Sequence, residues 1–495
     1  MSSGEFRATL VLPRASSSRR RGAGRGAVVL APAHRPDQTG MMANPTVIHA
    51  DRTALATGRA IRKQVPRSSL GSWRPGTHRT DPVTILERQA ATRLPDLVPI
   101  RYSRMAAAPF PFLRGAPAIM AGDLAASPGT GLCVQLCGDA HLSNFGVFAS
   151  PERALVFDLN DFDETLPGPF EWDVKRLVAS CAVAARDNGF DDESAARAAR
   201  AAACGYRESM ARLAALDSLT VWYERIDAEE AAALVRKPRQ RDRVAKRLDA
   251  ARNRTSLQAL TKLTEPGPDG VPRIKHRPPL LVPVAEFDER AVADVFAEFR
   301  DSLPEERRVL LDRYRFLETA RKVVGVGSVG TRCFIALLAD RDSGAPLFLQ
   351  VKQAETSVLA PHLAPSRFRH QGHRVVHGQR VMQAAGDIFL GWATGPEGRF
   401  FYWRQLRDMK GSAEVGDMSA GTLTRYAELC GRVLARAHAR SGDRVAIAAY
   451  LGSGEAFDRA MEEFALAYAE QTVVDRAALV EAIESGRVQA AEAGV

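Results

Sequence analysis

A glycine-rich segment between two strand-like stretches places the strongest restriction on how this chain can fold. Residues 325–330 read Gly-Val-Gly-Ser-Val-Gly, and the following stretch Thr331–Ala339 is rich in β-branched, aromatic and apolar residues. Such a composition favours a strand. A dinucleotide-binding loop with the same glycine spacing leads into a helix instead. The sequence therefore predicts a strand–loop–strand unit in which Gly325, Gly327 and Gly330 let the backbone approach a ligand.

A lysine follows on the next predicted strand. Lys352 ends the run Phe-Leu-Gln-Val-Lys, in a chain that has only nine lysines among 495 residues. A cation at this place can face phosphate groups held by the glycine loop, although a surface lysine at a strand end is the simpler alternative. The helix predicted at 371–384 has no glutamate to pair with Lys352, and Glu355 lies too close in sequence. Either Gln379 or a more distant acid takes that role, or nucleotide binding is weakened.

The densest group of chemically active residues lies earlier in the chain, in the segments Cys137–Asn144 and Asn160–Asp163. A predicted β-hairpin between the two segments carries Asp161 back towards Asp139 and Asn144. Phosphoryl transfer needs a carboxylate that accepts the proton of the attacking hydroxyl, and it needs oxygen ligands for Mg²⁺ beside that carboxylate. The spacing predicts that these three side chains share one site. An acidic turn region with helix caps is the alternative.

The first of these segments resembles the catalytic loop of the aminoglycoside and choline phosphotransferases, a branch of the protein-kinase-like superfamily. That loop reads His-Gly-Asp-x-His-x-x-Asn. Gly138, Asp139, His141 and Asn144 match it, and Cys137 replaces the first histidine. The resemblance implies a phosphotransferase that uses ATP and Mg²⁺.

The resemblance also assigns roles to individual residues. The spacing from Asp161 to Asp173 matches two aspartates of that branch, which favours Asp161 over Asp158 as the metal ligand. The expected residues are Asp139 and His141 for catalysis, with His141 bracing the loop; Gly325, Gly327, Gly330 and Lys352 for ATP; and Asn144 and Asp161 for Mg²⁺.

The order of these segments is unusual for such a fold. The predicted catalytic loop precedes the glycine loop, and the helix Tyr426–Ala439, which resembles the one that normally precedes the catalytic loop, comes near the C-terminus. We infer an α+β, protein-kinase-like two-lobed fold that is circularly permuted, with a small antiparallel β lobe and a larger helical lobe. From about residue 85 to 470 the chain resembles a bacterial family, domain of unknown function 2252.

Four regions follow from this interpretation. They are a disordered tail and entry segment at 1–80, a helical lobe with the catalytic and metal-binding loops at 81–280, a small β-rich nucleotide-binding lobe at 281–410, and a hinge with C-terminal helices packing on the helical lobe at 411–495. A Pro/Gly-dense linker is predicted at 265–283.

The sequence leaves the acceptor unidentified. We expect a hydroxyl of a small molecule, with a protein acceptor as the alternative. Transfer of AMP in place of phosphate stays open, as does a nucleotide-binding pseudokinase with a regulatory role, which the missing glutamate favours. A metallophosphoesterase could use Asp139, His141 and Asp161 as ligands. It would leave the glycine motif and Lys352 without a role.

Composition restricts partners and location. The net charge of +10 is diffuse and dense only near 19–21 and 236–254, without the interleaved aromatic residues of a base-stacking surface. The six cysteines are scattered, with none in a Cys-x-x-Cys pair, and predict buried reduced thiols. Neither a membrane-spanning stretch nor a secretory signal is recognised, so a cytoplasmic location is expected. His370, His373 and His377 share a predicted helix face but have no acidic or cysteine ligand near them in sequence.

Overall fold

The computed structural model describes residues 52–233, 238–253, 256–267, 271–278, 281–283, 289–322, 329–406 and 409–492. The fold is mixed α+β, as predicted. Each strand pair among the described residues is antiparallel.

Five helices begin the described chain: α1 Arg52–Gln64, α2 Pro82–Ala90, α3 Val98–Ala106, α4 Pro109–Gly115 and α5 Pro117–Ala125. Each of α2 to α5 has a proline in its first turn, where a backbone N–H would make no hydrogen bond within the helix. Helix α1 stands where the sequence predicted a poorly ordered entry segment. It packs through small residues, since a Cβ on Gly58 would lie 2.1 Å from the carbonyl oxygen of Ala446. The buried residues of α1, Ala54 and Gly58, are small and do not stand out among the apolar residues of the sequence.

Four short strands follow: β1 Cys133–Leu136, β2 Phe145–Ala149, β3 Leu155–Leu159 and β4 Leu166–Pro169. Strands β2 and β3 form a hairpin, and β1 pairs with β4. The hairpin that the sequence predicted between the two polar segments is formed by β2 and β3. The pairing brings the loop after β1 next to the loop after β3, and these two loops carry the polar segments 137–144 and 160–163.

A helical region comes next: α6 Phe170–Asp187, α7 Asp192–Ala214, α8 Ser218–Tyr223, α9 Ala228–Ala233, α10 Pro238–Arg252 and α11 Ser256–Leu263. Helix α6 is buried on all sides for most of its length, from Phe170 to Ala185. It forms the centre of the largest hydrophobic core and lies directly behind the loop that follows β1.

The small sheet is built from a later part of the chain. Its elements are β5 Thr264–Pro266, β6 Pro272–Ile274, β7 Leu281–Pro283, α12 Glu289–Asp301, α13 Glu305–Leu311, β8 Tyr314–Lys322, β9 Cys333–Asp340, β10 Pro346–Gln353, α14 Gln371–Met382, β11 Gly391–Thr394 and β12 Phe400–Gln405. Six strands pair in the order β11-β12-β10-β9-β8-β7, and β5 and β6 form a separate two-stranded sheet. The predicted linker 265–283 was wrong in part, because it contains β6, β7 and part of β5. An edge strand tolerates the prolines that suggested a linker.

The chain then returns to the helical region through β13 Gly411–Ser412, α15 Ala420–Ala439, α16 Arg444–Leu451 and α17 Ala456–Glu484. Strand β13 pairs with β2. The end of α15 lies against β1, where Ser441 Oγ accepts a hydrogen bond of 2.9 Å from the backbone N–H of Gln135. All six cysteines are unpaired, and four of them are buried. No helix in the described part of the chain has the length and apolar character needed to cross a bilayer.

Candidate active site

The loop after β1 is fixed by a buried carboxylate on α6. Asp173, which is 1% exposed, accepts hydrogen bonds from the backbone N–H groups of Cys137 at 2.7 Å and Gly138 at 2.9 Å. His438 Nε2 on α15 lies 3.1 Å from the same carboxylate. Gly138 has φ of +87°, and a Cβ there would lie 2.3 Å from the carbonyl oxygen of Glu164. The position therefore requires glycine, and Asp173 braces the loop instead of capping a helix.

Asp139 projects from this loop into a cavity. Its Oδ1 accepts a hydrogen bond of 2.8 Å from Arg176 Nε, while Arg176 Nη2 donates to the carbonyl of Leu113 at 2.6 Å. Oδ2 lies 3.6 Å from His141 Nε2 and has no hydrogen bond to any described residue. The side chain is 20% exposed. Arg176 thus holds the carboxylate in one orientation and leaves one oxygen accessible.

His141 lies beside Asp139 and is buried, and its Nδ1 has no hydrogen-bond partner among the described residues. Burial lowers the pKa of His141 to about 4, and the positive charges of Arg114 and Arg176 oppose the effect of Asp139. The imidazole is therefore neutral near pH 7. It can donate a hydrogen bond but carries no charge towards a ligand.

Asn144 joins the two polar loops. Its Nδ2 donates to the carbonyls of Asp139 at 3.0 Å and Asp161 at 2.9 Å, and its Oδ1 accepts from the Asp161 N–H at 2.7 Å. Asp158 is directed elsewhere: it is buried, forms an ion pair with Arg436, and accepts from the N–H of Ala384 at 2.8 Å. Asp161, and not Asp158, lines the cavity.

Lys352 reaches the same place from β10. Its Nζ lies 2.6 Å from Asp163 Oδ2 and 3.3 Å from both carboxylate oxygens of Asp161. Tyr402 donates a hydrogen bond of 2.7 Å to the other oxygen of Asp163. The Lys352 side chain is only 3% exposed. These contacts identify Asp163 as the acid that pairs with Lys352, which the sequence had left open.

Opposite charges govern the titration of this group. Burial alone would lower the pKa of Lys352, but the carboxylates of Asp161 and Asp163 outweigh it and raise that pKa well above its usual value. For Asp161, burial acts to raise the pKa, and the charges of Lys352 and Arg404 bring it below its usual value. Both groups are therefore ionised at neutral pH.

Helix α14 contacts this region through Arg374 and not through an acid. Arg374 donates to the carbonyls of Thr165, Asp163 and Glu355 at 2.6, 2.8 and 2.8 Å. Gln379, one of the predicted partners of Lys352, instead donates to Gln383 at 2.9 Å. That alternative was wrong, because Gln379 points along its own helix.

The glycine motif is described only at its end. Gly325 and Gly327 lie outside the described residues. Gly330 has φ of +90°, and its carbonyl accepts a hydrogen bond of 2.7 Å from the N–H of Leu94. Arg93 Nη1 donates to the carbonyl of Val329 at 2.6 Å. The end of this segment thus packs on the chain between α2 and α3, and Gly330 is not among the residues that line the cavity.

The cavity between the two loops and β10 has a volume of about 280 Å³. Five basic side chains and four acidic ones line it: Arg93, Arg114, Lys352, Arg404 and Lys410, with Asp139, Asp161, Asp163 and Glu164. Burial raises the pKa of Glu164 to about 7. The sequence indicated Lys352 but missed the other four cations: arginine is common throughout the chain, and no local pattern marks the three arginines or Lys410.

The donor set suits Mg²⁺ better than a transition metal. No three His, Cys, Asp or Glu side chains of the described residues form a cluster that could hold a metal ion by themselves. Mg²⁺ in phosphoryl-transfer sites is bound by one or two protein oxygens together with water and phosphate, which Asp161 and the second lone pair of Asn144 Oδ1 can supply. The histidines of α14 do not form a metal site, because His373 stacks on Trp392 with ring centres 4.0 Å apart and His377 lies 3.1 Å from Arg367.

Comparison with known proteins gives a family and no nearer relative. Residues 93–482 match a bacterial protein family described as "Uncharacterized protein conserved in bacteria (DUF2252)". No curated protein and no solved structure matches the chain. The matched region contains Asp139, Asn144, Asp161 and Lys352 and covers most of the chain. The protein therefore belongs to the bacterial DUF2252 family.

Proposed function

We propose that this protein is an ATP- and Mg²⁺-dependent phosphotransferase that acts on a hydroxyl group. One observation carries the proposal. A lysine from the small sheet and three polar residues from two loops of the helical region meet around one cavity, although 191 positions separate Lys352 from Asp161. Phosphoryl transfer requires a phosphate-binding cation, metal ligands and a proton acceptor around one phosphoryl group. Asp139, Asn144, Asp161 and Lys352 supply these groups.

The geometry of each residue indicates the role it can take in phosphoryl transfer. Asp139 accepts the proton of the acceptor hydroxyl through the oxygen that lacks a hydrogen bond, while Arg176 keeps the carboxylate oriented. Lys352 binds phosphate oxygens of the donor, and Asp163 holds Lys352 in place between substrates. Asp161 and Asn144 are the residues that would hold Mg²⁺. When bound, this ion neutralises the charge that develops on the transferred group.

We also propose a protein-kinase-like arrangement in circularly permuted order. Three features support it: the antiparallel sheet that carries Lys352, the hairpin β2–β3 between the two polar loops, and the contact of α15 with β1. In this arrangement Asp163 pairs with the lysine, as a glutamate on a helix does in protein kinases. The exchange removes the main reason for interpreting the chain as an inactive pseudokinase, because the lysine keeps an acidic partner.

Calorimetry tests the nucleotide assignment. We expect ATP to bind the wild-type protein much more tightly with Mg²⁺ than without it, because Asp161 offers the metal a carboxylate. Asp161→Asn should remove most of that difference. Binding that does not depend on the metal, or an absence of ATP binding, would contradict the proposal.

Incubation with γ-labelled ATP, Mg²⁺ and a bacterial metabolite extract tests the reaction. Mass spectrometry should find label on a hydroxyl compound. Label released as pyrophosphate, together with an unlabelled adenylylated product, would replace phosphoryl transfer by AMP transfer. ATP binding without any product from a broad extract would favour a regulatory pseudokinase.

A further inference from the structure

One wall of the cavity is built by the N-terminal helices and faces Asp139. Arg114 and Gly115 end α4, and Pro117 begins α5, and all three residues line the cavity. The wall is fixed to the catalytic loop because Arg176 bridges the carbonyl of Leu113 and the carboxylate of Asp139. The backbone of Arg114 is therefore held beside the loop that carries the proposed proton acceptor.

Arg114 differs from the other cations of the cavity because it has no hydrogen-bond or ion-pair partner among the described residues. Lys352 pairs with two carboxylates, and Arg404 donates to Gln350 and to the carbonyl of Asn160, each at 2.9 Å. Among the described residues, the Arg114 guanidinium has no hydrogen bond or ion pair, and its Nε is buried without an acceptor. A buried guanidinium N–H without an acceptor is unfavourable. A ligand that brings acceptor oxygens would remove that cost.

The position of Arg114 in the cavity indicates which ligand it binds. Arg114 directly follows Leu113, whose carbonyl accepts from the same arginine that holds Asp139, whereas Lys352 contacts Asp161 and Asp163. We therefore place Arg114 on the side of the proton acceptor and Lys352 on the donor side. Resting on the proposed function, we infer that Arg114 binds an anionic group, a carboxylate or a phosphate, on the small hydroxyl compound that accepts the phosphoryl group.

The reaction at such an acceptor balances without a further reagent. The acceptor hydroxyl gives its proton to Asp139 and forms an O–P bond to the γ-phosphorus of ATP. The bond between that phosphorus and the bridging oxygen breaks, and ADP leaves with the electron pair. Arg114 takes no part in bond making. It is a positioning residue that orients the acceptor and compensates its charge.

Matched probes test the inference by equilibrium binding in the presence of Mg²⁺ and ADP. Glycerol, glycerate and glycerol 3-phosphate share a hydroxylated backbone and differ in their anionic group. We expect the two anions to bind wild-type protein about 10–100-fold more tightly than glycerol, because a hydrogen bond to a charged group contributes that much. Arg114→Gln should remove the preference and Arg114→Lys should keep part of it. Thermal unfolding of each variant checks that it is folded.

A variant outside the cavity serves as the control for these binding measurements. Arg88→Gln changes an exposed arginine of α2 outside the cavity and should leave the preference unchanged. Equal binding of all three probes, or a preference that survives in Arg114→Gln, would overturn the inference. So would a loss of Mg-ATP affinity in Arg114→Gln with the anion preference intact, since the arginine would then serve the donor phosphate. If wild-type protein binds no ATP, the proposed function itself fails, and that measurement is independent of the probes.

Discussion

Replacing Lys352 by Met and Asp163 by Asn, singly and together, isolates the coupling between the two side chains. Lys352 is buried, and its Nζ lies 2.6 Å from Asp163 but 3.3 Å from Asp161, whose side chain is 42% exposed. The shorter and less exposed contact should carry most of the stabilisation. Since a hydrogen bond to a charged group contributes about 1.5–3 kcal/mol, we expect a coupling free energy of that size. Urea denaturation of the four proteins measures it.

Glu355 provides the control for this cycle. It lies three positions after Lys352, and its carboxylate accepts hydrogen bonds from Thr92 and Gln353, with none from Lys352. Glu355→Gln combined with Lys352→Met should show a coupling within about 0.5 kcal/mol of zero. If the coupling free energy of Lys352 and Asp163 is no larger than that of this control, Asp163 does not hold the lysine. Our proposal that Asp163 replaces the helix glutamate would then be wrong.

Three further predictions concern the catalytic loop and its surroundings. Asp139→Asn should lower turnover by about 10²–10⁴-fold with Mg-ATP affinity by calorimetry unchanged, and full activity in this variant would move the proton acceptor elsewhere. Burial raises the pKa of Glu164 from 4.5 to about 7, so wild-type protein should lose stability as pH rises through this range. Glu164→Gln should therefore gain about 1–3 kcal/mol relative to wild type between pH 5 and pH 8, and a constant difference would contradict this. Asp173→Ala leaves two backbone N–H groups without an acceptor and should cost about 2–5 kcal/mol in urea denaturation, whereas a loss below about 1 kcal/mol would show that Asp173 does not brace the loop.

The part of the site that could be predicted is the part specified locally. Asp139, Asn144 and Asp161 are joined by one hairpin, so their spacing along the chain determines that they meet. Lys352 could be predicted from the sequence for a different reason. It is a rare residue type here, and it sits at a fixed place in a strand pattern.

Other features depend on contacts between distant segments and leave no local signal. Asp163 follows Asp161 by two positions, and only the packing of β10 and β12 against its loop shows that it faces Lys352 and Tyr402. Arg114 and Arg176 lie on helices whose sequences contain no motif that marks these two positions. Helix α1 was missed because it packs through glycine and alanine.

The attachment of α14 has a consequence for how this protein can be controlled. Arg374 donates to three carbonyls, and Gly378 lies so close to Thr165 that a Cβ would be 2.3 Å from its Oγ1. Moving the helix away would break three charge-assisted hydrogen bonds, at about 1.5–3 kcal/mol each. By that arithmetic, fewer than about one molecule in a thousand has the helix displaced at rest. The helix is therefore held in this position at rest, and any ligand or partner that displaced it would have to supply at least that free energy.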